Sequence, residues 1–132
     1  MPKFKGYLAY LATPFTLYEP GLEQAAHEAT TLAGKLLRAG LVVYSPIAYT
    51  WHIAETSGLD HLDLSIWMPL EERMCAACDV LIVGKLSGWI RSQGIRREVI
   101  RFEQARKPIW EVDPISLAMV RRRYAVAEEA HR

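Results

Sequence analysis

The run Asp79-Val80-Leu81-Ile82-Val83-Gly84 constrains the fold more than any other part of this chain. Its unbroken apolar character predicts a strand buried on both faces, as in a parallel sheet covered by helices on either side. The rest of the sequence supplies the neighbours such a strand needs. Tyr7 to Ala12 reads as a first strand, broken by Thr13-Pro14. Leu22, Ala25, Ala26, Ala29, Leu32, Ala33, Leu36 and Leu37 recur at helical spacing, and Gly40 stands where a helix C-terminal glycine belongs. Leu41 to Ser45 reads as a second strand ended by Pro46, and Pro108 to Val112 as a fourth. Between the third and fourth strands a helix is expected from Gly94 to Arg106. Another, begun by Pro69 in its first turn, should run to about Cys78. Ile47 to Ser65 shows no period and reads as a long loop, a kind of segment more often functional than idle. A polar-ended helix is expected from about 114 to 130.

Alternating strand and helix signals predict right-handed βαβ crossovers and a three-layer α/β/α sandwich on a four- to five-stranded parallel sheet. The whole chain, residues 1–132, reads as a single domain. If the strand order is 2-1-3-4, the order reverses between the first and third strands. Ligands of such sheets sit at that switch point, beyond the carboxyl ends of the strands. The loops Thr13 to Tyr18 and Lys85 to Gln93 are therefore the expected walls of a site.

Composition narrows the function classes. With 16 basic and 15 acidic residues, the net charge of +1 gives no electrostatic case for long nucleic acid or an anionic membrane. Arg121-Arg122-Arg123 is the only basic cluster and reads as the solvated face of the terminal helix, against the alternative of a phosphate track. Met1-Pro2-Lys3-Phe4-Lys5 leads straight into a strand, unlike a signal peptide, and no apolar run approaches the roughly 20 residues that span a bilayer. The expected compartment is the cytoplasm. Cys75 and Cys78 form a C-x-x-C, but no second pair exists to complete a zinc site. Late in an apolar-striped helix, they read as two buried small residues rather than a redox pair. No metal and no cofactor are expected.

The chemistry-bearing residues concentrate in Ser92-Gln93-Gly94-Ile95-Arg96-Arg97-Glu98. Ser92 is a good N-cap, and Gly94 allows close approach to the backbone. Free N–H groups and the helix dipole favour an anion such as phosphate, though the same residues also make an ordinary capped helix. Ile95, Val99, Phe102 and Ala105 mark the buried side of that helix. Glu98 lies at its edge, apart from Arg96, Arg97 and Glu103. A carboxylate so placed is either paired structurally or poised as a nucleophile or base. Glu71 is either a first-turn acid favoured by the helix dipole or the second of two carboxylates suited to glycosidic chemistry. Tyr10 could present a phenol or simply pack. His52, beside Trp51, could contact a base or lie on the surface.

Together these residues resemble the nucleoside 2-deoxyribosyltransferase superfamily, especially its bacterial and phage members of unassigned function and the 2′-deoxynucleoside 5′-phosphate N-hydrolases. The pieces that carry the resemblance are Tyr10-Leu11-Ala12-Thr13-Pro14, Gly40-Leu41-Val42-Val43-Tyr44-Ser45-Pro46, Cys78-Asp79-Val80-Leu81-Ile82-Val83, and Gly88-Trp89 followed by Ser92-x-Gly94-x-x-x-Glu98. They extend from about residue 7 to residue 110. The resemblance implies a flavodoxin-like fold with Glu98 as nucleophile on the anomeric carbon, Tyr10 positioning it, and Glu71 standing where aspartate is usual. It also implies that Ser92 meets a 5′-phosphate, in place of the aspartate by which the deoxyribosyltransferases bind a 5′-hydroxyl. Thr13, Pro14, His52 and Trp89 complete the expected substrate-binding set. The implied partners are a small nucleotide or nucleoside and further copies of the chain, as a dimer or tetramer.

Two functional expectations follow. One is an N-glycosidase or deoxyribosyltransferase acting through Glu98. The other is a nucleotide-binding or sensing domain that kept the phosphate-binding helix and lost catalysis. An interaction module with no small ligand would instead predict a closed, dry surface at the ends of the first and third strands.

Overall fold

In a computed structural model, which describes residue 4 and residues 6–123, the apolar runs become the strands of one sheet. The elements in chain order are β1 (Leu8–Ala12), α1 (Leu22–Arg38), β2 (Val42–Tyr44), α2 (Pro46–Ser57), α3 (Leu64–Ala77), β3 (Val80–Gly84), α4 (Gln93–Gln104), β4 (Ile109–Val112) and β5 (Met119–Arg121). A single 3-10 turn, Trp89–Arg91, precedes α4. Sheet order is β2-β1-β3-β4-β5. The first four strands are parallel, with Tyr10 opposite Tyr44 on one side and Leu81 on the other. This is a flavodoxin-like arrangement.

Every residue of β3 is buried, as its sequence requires. Strand alternation then divides the core. Ala9, Leu11, Val80 and Ile82 meet Leu32, Ala33 and Leu36 of α1 on one face. Tyr10, Ala12, Leu81 and Val83 meet Cys75 of α3 and Ile95, Val99 and Phe102 of α4 on the other. Helix α1 ends as its sequence predicts. Gly40 takes φ +97, and the N–H groups of Gly40 and Leu41 turn back to the carbonyls of Leu37 and Leu36. Gly84 is needed for a different reason. A β-carbon there would lie 2.7 Å from Leu32 Cδ2 and 3.0 Å from Thr13 Cγ2, so α1 and the end of β1 close onto bare backbone.

Four expectations are corrected. The segment from Ile47 to Ser65 is mostly helical, with α2 capped by Ser45, whose hydroxyl accepts from the Ala48 N–H at 3.3 Å, and stopped by Gly58 at φ +66. Pro46 ends a strand only by starting this helix. Pro69 is not at a helix start. Asp63 caps α3, accepting from the Ser65 N–H at 3.0 Å, and Pro69 lies inside it. Pro69 and Ser65 are both exposed, so water can serve the Ser65 carbonyl that proline leaves without a donor. Glu71 is therefore in the middle of α3, not its first turn.

The terminal helix is also absent over residues 114–123. There Asp113 accepts from the N–H groups of Ile115 and Ser116, the chain reverses, and β5 pairs antiparallel to β4. The sheet is thus not wholly parallel, and Arg122 pairs with Glu111 at 3.0 Å instead of lining a helix face. The remainder of the expected helix, to residue 130, and positions 1–3 and 5 lie outside the described residues. Cys75 and Cys78 are both buried and unbridged. Burial pushes their thiols up, to about 12 and about 11.

Candidate functional site

The strand order puts the switch point between β1 and β3, and a cavity of about 640 Å³ opens there. The loop Thr13–Glu19 after β1, Ser87 and Gly88 after β3, and the start of α4 form one side; α2 and α3 contribute Ile47, Thr50, Trp67, Met68 and Glu71. Its size falls within the roughly 300–1,000 Å³ of small-molecule pockets.

Tyr10 is the central residue of β1, on the face toward α3 and α4, and is fully buried, its ring edge-on to Tyr44 and tilted against Phe102. Its hydroxyl donates to Glu98 Oε2. Glu98 reaches it because the α4 stripe Ile95, Val99 and Phe102 seats that helix on the sheet and turns the next position inward, leaving Glu98 only 6% exposed. Removal from water, then the nearby Glu71 charge, pushes the Glu98 carboxyl up to about 8. The Tyr10 hydrogen bond and the guanidinium groups of Arg97 and Arg101 act the other way without prevailing. Burial, followed by the same Glu98 charge, drives the Tyr10 phenol far above its usual range, so it stays a donor.

Glu71 is tied down. Arg97 grips it as a fork, Nε to Oε2 at 2.7 Å and an Nη to Oε1 at 2.8 Å, and Arg101 Nε adds a longer bond at 3.3 Å. The Arg97 side chain is held in its charged form mainly by this fork. Arg97 thus belongs to the cavity wall, not with the outward-facing residues of α4.

At the start of α4, the Ser92 hydroxyl accepts from the Ile95 N–H at 3.3 Å, which leaves its own O–H available. Ser92, Gln93 and Gly94 line the cavity, with Arg91 beside them. Two further hydroxyls on the wall, Thr13 Oγ1 and Tyr44 Oη, are sealed from water and have no hydrogen-bond partner. Unpaired buried polar groups are rare enough to need a reason.

The cavity therefore gathers Glu98, Glu71, Tyr10, Ser92, Gly94, Thr13 and Pro14. It excludes two residues expected at the site. His52 is on the exposed side of α2, and Trp89, opening the 3-10 turn, packs against the α4-side core and borders a neighbouring depression that shares Ser87, Gly88 and Arg91 with the cavity. The histidine that does line the cavity is His61. With Tyr44 and Arg97 it makes three wall residues that sequence reasoning missed. Tyr44 reaches the wall because the parallel register sets it beside Tyr10 at the end of β2. Among the described residues no cluster of His, Cys, Asp and Glu could hold a metal ion, and no helix is long and apolar enough to cross a membrane.

Residues 8–113 match the family DUF1937, a domain of unknown function. No curated protein matches the chain. The matched span runs from the first residue of β1 to just beyond β4, and so contains every wall of the cavity. The chain belongs to the DUF1937 family.

Proposed function

For this DUF1937 protein we propose cleavage or transfer at the N-glycosidic bond of a small nucleotide or nucleoside, with Glu98 as nucleophile. The observation that carries the reading is a nearly buried carboxyl, steadied by Tyr10, at the floor of a cavity on the switch point. One Glu98 oxygen accepts from Tyr10 and the other is left for a ligand. Attack on the anomeric carbon would break the C–N bond and leave a glycosyl ester; water or a second base would then displace Glu98. The place for a phosphate in this reading is beside Ser92 and Gly94, at the N-terminus of α4, where Arg91 also lines the cavity. The resemblance to nucleoside deoxyribosyltransferases and nucleotide N-hydrolases supports the same assignment.

Only ionised Glu98 can attack. With its carboxyl pushed up to about 8, the reactive fraction rises about tenfold per pH unit below that value. Attack by Glu98 should therefore quicken from pH 6 to 8, with no further gain from its ionisation above that. The test is incubation with ribo- and deoxynucleotides and nucleosides, following free base by chromatography. Glu98→Gln should lower release by roughly 10³-fold or more. Release that survives this change would rule out the nucleophile.

The Arg97 fork on Glu71 favours a second reading, because it engages both oxygens of the other carboxylate. A domain that binds a nucleotide without turning it over would give calorimetric binding and no free base.

A further inference from the structure

The glycosidic reading leaves the departing base without a proton donor, since Glu71 has both oxygens engaged by arginines. The cavity holds another candidate. His61, in the turn between α2 and α3, lines it while its side chain is only 15% exposed. The ring is fixed on three sides. Trp51 stacks on it at 4.2 Å and 20°, Phe15 meets it edge-on at 6.1 Å, and Glu55 Oε2 lies 2.8 Å from Nε2. With Nε2 committed to a carboxylate, Nδ1 is the nitrogen left to exchange a proton with a ligand. Phe15, Leu62, Leu64 and Trp67 line the cavity alongside it and offer an apolar surface for a planar ring.

Resting on the glycosidic reading, we propose that His61, oriented by Glu55, is the acid–base residue that protonates the leaving base. As Glu98 bonds to the anomeric carbon, the C–N pair withdraws into the base and the proton on His61 Nδ1 passes to a base nitrogen. Neutral His61 keeps its Nε2–H on Glu55. In the second half, a water enters where the base left and gives its proton to His61 Nδ1. Its oxygen bonds to the anomeric carbon, and the ester C–O pair returns to Glu98. Every proton is accounted for, and one residue serves as acid and then base.

The experiment compares two substrates on the same protein samples: a purine nucleoside monophosphate and its N7-methylated form. The methylated base already carries a positive charge and leaves without being protonated. His61→Gln should slow release of the ordinary purine by on the order of 10²-fold and leave the methylated one within about threefold. Glu55→Gln, at a half-exposed carboxylate, should show the same selective loss on a smaller scale and guards against a folding defect at residue 61. Equal losses on both substrates, or no loss on either, in both variants would overturn the role of His61 while leaving Glu98 in place. If the unaltered protein releases neither base, the glycosidic reading falls and this inference falls with it.

Discussion

Replacing Glu98 by glutamine should change how the stability of the protein depends on pH, by an amount the structure sets. In the unfolded chain a glutamate loses its proton near 4.5; in the folded protein Glu98 holds it to about 8. Between those values the folded state binds one proton more than the unfolded state, so stability falls as pH rises, by about 1.4 kcal/mol per unit. From pH 5 to pH 9 the loss is about 4 kcal/mol, complete once pH has passed the folded value. Glu98→Gln keeps the shape and the acceptor for Tyr10 but has nothing to titrate. Urea unfolding of both proteins at unit intervals from pH 5 to 9 gives the comparison. Tyr10, Glu71, Cys75, Arg97 and Arg101, which surround Glu98, are common to both, so the difference isolates the one carboxyl. The variant should gain on the unaltered protein by about 4 kcal/mol over this range. Parallel curves would show that Glu98 ionises in place without cost and that its burial has been misjudged.

Other substitutions probe the same neighbourhood. Arg97→Met removes a cation near Glu98 and frees Glu71, so the midpoint of the rise in base release with pH should move upward by roughly one unit; an unmoved or lowered midpoint counts against the charge arrangement. Thr13→Val exchanges an unpaired buried hydroxyl for a methyl and should stabilise the ligand-free protein by roughly 1 kcal/mol, read as a thermal midpoint higher by a few degrees. A lower midpoint would mean that the hydroxyl has a partner in solution. Lys107 donates to the carbonyls of Cys75, Ala76 and Cys78 at 2.7–3.0 Å, so Lys107→Met should cost roughly 2 kcal/mol in urea unfolding. Gly84→Ala forces Leu32 or Thr13 aside and should cost about 1–3 kcal/mol. An unchanged midpoint would mean that α1 can back away from the sheet.

The strands were legible because β1, β3 and β4 bury both faces and so leave unbroken apolar runs between turn residues. Helix α1 was legible for the complementary reason, a stripe with its apolar side set by one layer contact. Helix α2 was not. Ala54 is its only fully buried residue, and Tyr49 and Ile53 remain exposed, so no period at helical spacing could arise. The usable signal was at its ends, Ser45-Pro46 as cap and first turn and Gly58 as stop. Strand β5 was hidden differently. Ile115, Ala118 and Met119 stand at helical spacing, while the reversal depends on the Asp113 side chain capping its own turn.

For the site, position followed from topology, and the Tyr10–Glu98 contact from two stripes facing each other across a layer. Tertiary pairing decided the rest. Arg97 sits only one residue before Glu98, yet its length lets it cross to α3 and hold Glu71. His61 enters the wall through its stack on Trp51, and no spacing of residues along the chain encodes that contact.

The bonds that join α3 to α4 also decide which wall of the cavity can yield. Arginines 97 and 101 pin α3 at Glu71, and Lys107, just past α4, ties down its far end. Those two helices are therefore fastened at the middle and the C-terminal end of α3 and should exchange their amide protons slowly and in step. Among the described residues helix α2 has no ion pair to α3 or α4, so of the three helices that wall the site it is expected to exchange its amide protons fastest. A ligand passing in or out would move α2 and the turn that carries His61, while the Tyr10–Glu98 floor stays still.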